Sequence, residues 1–116
     1  RLANAGQTQP LLLQGGKCAR VNLVGFPLGL YDDVTYEECT LILEPGNILV
    51  FQSDGLSEAP DPDGNLFGNT RLKSLIETHA GLSAGELADL LLAEVQEFTQ
   101  NAPITDDRTL IVMKVR

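Results

Sequence analysis

Two short acidic motifs hold the residue types best suited to chemistry in this chain. They are Asp54-Gly55, at the end of one apolar run, and Asp106-Asp107, just ahead of another. A carboxylate at the end of a strand, followed by a glycine that lets the backbone turn sharply, suits the holding of a cation or a water at a sheet edge. Two hard carboxylate oxygens, joined by a backbone carbonyl from Gly55 or Leu56, suit Mg²⁺ or Mn²⁺ with several waters retained. Such a cation lowers the pKa of its water and screens a phosphate, which is the chemistry of metal-assisted phosphoester hydrolysis. Without a cation, converging carboxylates repel each other. The same residues also read as a plain Asp-Gly turn after one strand and a polar turn before the other, and spacing by itself favours the turns.

For the two motifs to act together, the elements that carry them must be neighbours. Residues 48–51 are short, β-branched and aromatic, and follow the turn Glu44-Pro45-Gly46, so they read as a buried strand that delivers Asp54. Residues 110–115 read as a last strand, with Asp106 and Asp107 at its entrance. If these strands are antiparallel neighbours, the end of one lies beside the start of the other, and Asp54 meets Asp106 at one sheet edge.

The rest of the chain supplies the frame. Residues 2–5 and 10–14 read as two strands joined by the polar turn Gly6-Gln7-Thr8-Gln9, and Gly15-Gly16 closes the second. Residues 18–24 alternate, with Ala19, Val21 and Leu23 expected on one buried face. The apolar loop from Gly25 to Leu30 is expected to cover one edge of the core. Residues 36–43 are expected to pair with 48–53 as a hairpin across Pro45-Gly46. Residues 59–65 form a turn-rich acidic loop. Counted from Asp61, Leu66 stands where a calcium loop needs glycine and Leu72 where it needs glutamate. Gly68-Asn69 opens a helix carrying Leu72, Leu75 and Ile76 and ending near His79, the one histidine, in a position favoured by the helix dipole. Ser83-Ala84-Gly85-Glu86 matches a capping box, and the helix that follows carries Leu87, Leu90, Leu91, Val95 and Phe98 as a stripe expected to dock on a sheet.

Composition narrows the class. The chain has 116 residues and a formal charge of −8, enough for one ordinary domain or part of a larger one. No basic patch is available to neutralise phosphates, which argues against a nucleic-acid partner, while acidity is compatible with divalent cations. No apolar run approaches the roughly 18 residues that span a bilayer. Cys18 and Cys39 lack partners at metal-ligand spacing and are expected to be reduced thiols in a cytoplasmic protein. The first residues look like the end of a strand, so the chain is expected to begin inside a domain.

The ordered motifs Ala3-Asn4-Ala5-Gly6, Pro27-Leu28-Gly29, Leu43-Glu44-Pro45-Gly46-Asn47, Ser53-Asp54-Gly55-Leu56-Ser57-Glu58-Ala59, Phe67-Gly68 and Asp106-Asp107-Arg108-Thr109-Leu110 resemble the metal-dependent type 2C protein phosphatases. The likeness is to the bacterial sporulation and stress-response serine phosphatases, and it covers essentially the whole chain. It implies an α+β fold, an antiparallel β-sandwich flanked by helices, of which this chain is the C-terminal part. It implies Mn²⁺ or Mg²⁺ as cofactor, with Asp54 and Asp106 as metal ligands, Gly55 as a backbone contact and Asp107 beside them. A water activated by the metal would be the nucleophile, so no protein nucleophile is required. The substrate implied is phosphoserine or phosphothreonine on a signalling protein, with an upstream sensor domain in the parent chain.

Two departures stand out. The family's Asp-Gly motif that bridges both metals has no counterpart in these residues, and Gln7 stands where the branch usually has histidine. The rival reading is a non-catalytic phosphatase-like module that binds a partner. Half of a sandwich would also leave strand edges open, which favours a homodimer.

Overall fold

The computed structural model describes all of residues 1–116. In chain order the elements are β1 (Leu2–Ala3), β2 (Leu11–Gln14), β3 (Lys17–Arg20), β4 (Glu38–Cys39), β5 (Ile48–Gln52), α1 (Asp54–Ser57), α2 (Asn69–Thr78), α3 (Ala84–Phe98) and β6 (Leu110–Lys114).

Strand β5 is apolar on both faces, and Ile48, Leu49 and Val50 are all buried. A strand of that kind belongs inside a sheet with a partner on each side. It lies between β2 and β6 in a four-stranded antiparallel sheet of order β3-β2-β5-β6. Leu11 pairs with Val50 on one side and Gln52 with Leu110 on the other. Gly15 and Gly16, both at positive φ, make the tight turn of the β2–β3 hairpin.

Helices α2 and α3 cover one face of this sheet. Leu72 and Ile76 from α2 and Leu87, Leu91 and Val95 from α3 are fully buried against Leu11, Leu13, Ile48 and Val50. The leucine stripe of α3 therefore docks on the sheet as its spacing predicts. The capping box forms too: the Ser83 side chain accepts from the Glu86 amide, and Glu86 Oε1 accepts from the Ser83 amide, both at 3.2 Å. On the other face Val21, Leu23 and Leu49 gather with Leu2, Leu12, Cys39, Leu41 and Phe51 beneath a two-stranded β1–β4 ladder. The whole is an α+β arrangement of antiparallel sheets and helices. No helix is long and apolar enough to cross a membrane.

Three expectations need correction. Residues 36–43 do not form a hairpin with β5. They contribute only β4, paired with β1, because both hydrogen-bonding edges of β5 are taken by β2 and β6. The turn at residues 6–9 does join two strands, and they belong to different sheets, since β1 pairs with β4 while β2 pairs with β3 and β5. The third strand ends at Arg20, where its alternation breaks: Cys18 faces the helices, Ala19 is exposed, and Val21 and Leu23 fill the opposite face.

The apolar loop does not cover the core either. Val24, Phe26, Leu28, Leu30 and Tyr31 are all exposed, with Phe26 and Tyr31 edge to face at 5.3 Å. Its root is seated so tightly that a Cβ on Gly25 would overlap the Asn4 carbonyl oxygen and one on Gly6 would meet Pro27, so the loop leaves the body at a set angle.

The acidic loop after α1 is a turn, as expected. Asp61 Oδ1 accepts from the amides of Asp63 and Asn65, and its carboxyl sits below the usual range because the Asn65 side chain also donates to it. Cys18 and Cys39 are free thiols.

Candidate functional site

The β5–β6 pair does not stop at Gln52 and Leu110. One residue further, the Ser53 amide donates to the Thr109 carbonyl at 3.0 Å, continuing the ladder into the loop. The Ser53 hydroxyl donates to the Asp107 carbonyl at 2.9 Å and accepts from the Thr109 amide at 2.9 Å. Beyond it the chain turns into α1, whose first residue is Asp54 and whose next three, Gly55, Leu56 and Ser57, are buried. A Cβ on Gly55 would overlap the Asp107 carbonyl oxygen. Glycine is thus required at position 55 by the approach of the second acidic motif.

The two motifs therefore share one end of the β5–β6 pair. Asp54 is exposed, and its Oδ1 accepts from the Thr8 hydroxyl at 2.8 Å. Asp106 is exposed as well, and its Oδ1 accepts from the Asp107 amide at 2.8 Å. The side chain of Asp107 is exposed, and its backbone carbonyl is the part that joins β5. Gly55, Glu58, Asp61, Asp106 and Arg108 contribute to the wall of a cavity of about 250 Å³ beside the join. Arg108 points away toward α3, donating to Gln96 Oε1 at 2.7 Å, with its Nε buried and without a partner.

Three supporting residues escaped the reading of acidic motifs. Ser53 ties the two loops together. Thr8 holds Asp54. Asn4, buried at 6 % exposure, donates to the carbonyls of Gln7 and Leu23 and accepts from the Gln7 amide, and so shapes the turn that presents Thr8. Asn4 and Ser53 were in view as members of recurring motifs, but only their contacts reveal a task. Gln7 itself is exposed and engages Asn4 through its backbone. It helps line a second cavity, of about 430 Å³, with Thr8, Ser53 and Thr109.

As a cation site the donor set is right in kind and short in number. Asp54 and Asp106 offer hard oxygens, and exposed carboxylates already held by single hydrogen bonds can be aimed without burying charge. Yet no three His, Cys, Asp or Glu side chains of the chain come together as a metal-holding group.

Comparison with known proteins adds the family. The family model described as stage II sporulation protein E (SpoIIE) matches residues 1–116. The chain belongs to the SpoIIE family. Within it, this SpoIIE-family chain is 28 % identical over 117 residues to stage II sporulation protein E of Bacillus subtilis (strain 168), an alignment covering 99 % of the chain and 14 % of that protein. It is 34 % identical over 93 residues to the phosphoserine phosphatase RsbU of the same organism, covering 78 % of the chain and 26 % of RsbU. A manganese-presoaked structure of the phosphatase domain of the cell fate determinant SpoIIE from Bacillus subtilis superposes with a TM-score of 0.67 at 26 % identity, covering 96 % of this chain and 48 % of that one. The SpoIIE-family chain thus spans a small part of the two relatives and about half of the phosphatase domain.

Proposed function

We propose that these residues are the C-terminal part of a metal-dependent protein serine/threonine phosphatase domain, to which they contribute Asp54 and Asp106 as ligands of Mn²⁺ or Mg²⁺. The reading rests on one contact above all: the seating of the Asp107 carbonyl against Gly55, which joins the two acidic motifs at one end of the β5–β6 pair. Membership of a family whose relatives include a phosphoserine phosphatase supports it. In this reading Gly55 offers backbone and Asp107 a nearby carboxylate, and the remaining ligands come from the parent protein outside residues 1–116. A cation held there would activate a water and screen the charge of a phosphoryl group.

The chain's own residues do the positioning. Thr8 orients Asp54, Ser53 holds the turn that carries Asp106, and the Asp107 amide fixes which way the Asp106 carboxylate faces. The substrate proposed is phosphoserine or phosphothreonine on a signalling protein, with an upstream sensor domain in the parent chain. The cytoplasm is the setting we propose, in keeping with two free thiols. A homodimer through the open edge of β6 belongs to the same reading.

The test is Mn²⁺-dependent phosphate release from a phosphoserine protein by the full-length parent. Asp54→Asn and Asp106→Asn are each expected to lower kcat/KM by about a hundred-fold or more, because each removes a charged ligand. Wild-type activity in both variants would sink the assignment. Retained Mn²⁺ binding with no hydrolysis in the unmodified protein would favour the rival, a partner-binding module, to which Gln7 in the usual place of a histidine lends support.

A further inference from the structure

A hydroxyl carries one donor and two acceptor lone pairs, and Ser53 uses the donor and one lone pair on the same short loop. It gives its proton to the Asp107 carbonyl and takes the Thr109 amide, while its own amide binds the Thr109 carbonyl. Three hydrogen bonds from one residue thus pin the segment that follows Asp106. The Asp107 amide in turn holds Asp106 Oδ1. On the other side Ser53 is covalently joined to Asp54. One residue therefore stands between the two carboxylates, bonded to the first and clamped to the support of the second.

We propose that Ser53 is a positioning residue that sets the separation and orientation of Asp54 and Asp106, and through them the affinity of the site for a divalent cation. The proposal rests on the reading of those two residues as metal ligands. Cation sites need their donors held within about 0.5 Å, and apart from Ser53 the 105–109 segment is hydrogen-bonded to the rest of the chain through Arg108. Gly55 permits the close approach but cannot hold it, since a glycine only leaves room. Arg108, between Asp107 and Thr109, ties the same segment to Gln96 of α3 by its side chain, whereas Ser53 holds the backbone carbonyl and amide on either side of it.

The physical signature separates positioning from simple stabilisation. Asp107 and Thr109 are exposed, so if the hydroxyl is removed, their carbonyl and amide can pair with water, and little folding stability is lost. What is lost is the fixed geometry. In the full-length parent protein without substrate, titration calorimetry with MnCl₂ should show Ser53→Ala weakening Mn²⁺ about ten-fold, the scale of losses when a group supporting a metal ligand is removed. Ser53→Thr, which keeps the hydroxyl, should stay within about two-fold of wild type, and Ser53→Cys, nearly the same size but a weak hydrogen-bonding group, should fall between. Hydrolysis by Ser53→Ala should recover at saturating Mn²⁺, with substrate KM unchanged.

Ser53→Ala or, if that variant fails to fold, Ser53→Cys binding Mn²⁺ as wild type does overturns the proposal, as does Ser53→Thr binding no better than the cysteine variant. Asp54→Asn and Asp106→Asn are titrated alongside. If both bind Mn²⁺ normally, the ligand reading fails and takes this proposal with it. If both lose Mn²⁺ while the alanine and cysteine variants at Ser53 keep it, only the role of Ser53 fails.

Discussion

At position 55 the backbone does the joining. A helix ordinarily prefers alanine to glycine by about 1 kcal/mol, and Gly55 lies within α1. Gly55→Ala should nevertheless destabilise, because its methyl would overlap the Asp107 carbonyl oxygen, and forcing one methyl into a filled space costs about 1–3 kcal/mol. The clash outweighs the propensity. Chemical denaturation of the full-length parent checks this: a loss is expected, and a variant as stable as wild type would show that the loop has room to move. The same contact seats the loop that carries Asp106 against the start of α1, where Asp54 lies. Sequence pattern marked Asp54, Gly55, Asp106 and Asp107, but it assigned Gly55 to a turn, and the contact shows it as the floor of a joint.

Among the elements, α3 is the one whose form follows most directly from local sequence. Its start is set by Ser83 and Glu86, each satisfying the other's backbone amide, and its buried face by Leu87, Leu91 and Val95. Replacing Ser83 by alanine should cost about 1 kcal/mol, the usual loss of an N-cap hydroxyl. The Ser83 side chain and amide hold the Glu86 carboxyl below its ordinary range. A depressed pKa in the folded state gives stability that is present above the ordinary glutamate pKa and lost as pH falls through the folded one. The gap in unfolding midpoint between wild type and Glu86→Gln, which removes the titrating carboxylate, should therefore be full at pH 7 and narrow in acid below about pH 4. A gap independent of pH would mean that the box is not formed. Strand β4 is the opposite case. Nothing local selects β1 over β5 as its partner; the choice follows from β5 being filled on both sides by β2 and β6.

At the scale of the molecule, β6 is an edge. It pairs only with β5, and beside the edge Ile111 and Met113 are exposed at 59 % and 41 %. An unpaired edge with apolar neighbours is a template for another strand. Residues 1–116 on their own should therefore self-associate, and Ile111→Lys should return them to monomers. Sedimentation equilibrium at high micromolar concentration reads this directly, and a clean monomer without the substitution would count against the edge as an interface. The exposed loop from Val24 to Tyr31 is the other apolar surface, and it shares with β6 the fact that no part of these residues covers it.

The amino-acid sequence by itself determined the elements with strong local signals and the family. Helical period, the capping box, the Gly15-Gly16 turn and the doubly apolar β5 all depend on residues within one turn or one strand of each other, so they can be read in order along the chain. The motifs from Ala3 to Leu110 identified the type 2C phosphatase relationship by their order along the chain, which needs no tertiary structure to read. Only the tertiary structure decided which strands pair, that residues 36–43 cross to β1, that the apolar loop stands away from the core, and that Ser53, Thr8 and Asn4 hold the acidic motifs. Those outcomes depend on competition between distant segments for the same hydrogen-bonding edge or apolar face. Asp54 and Asp106 are 52 positions apart, and it is the antiparallel register of β5 and β6, extended by one serine, that brings the segments carrying them to one end of the same strand pair.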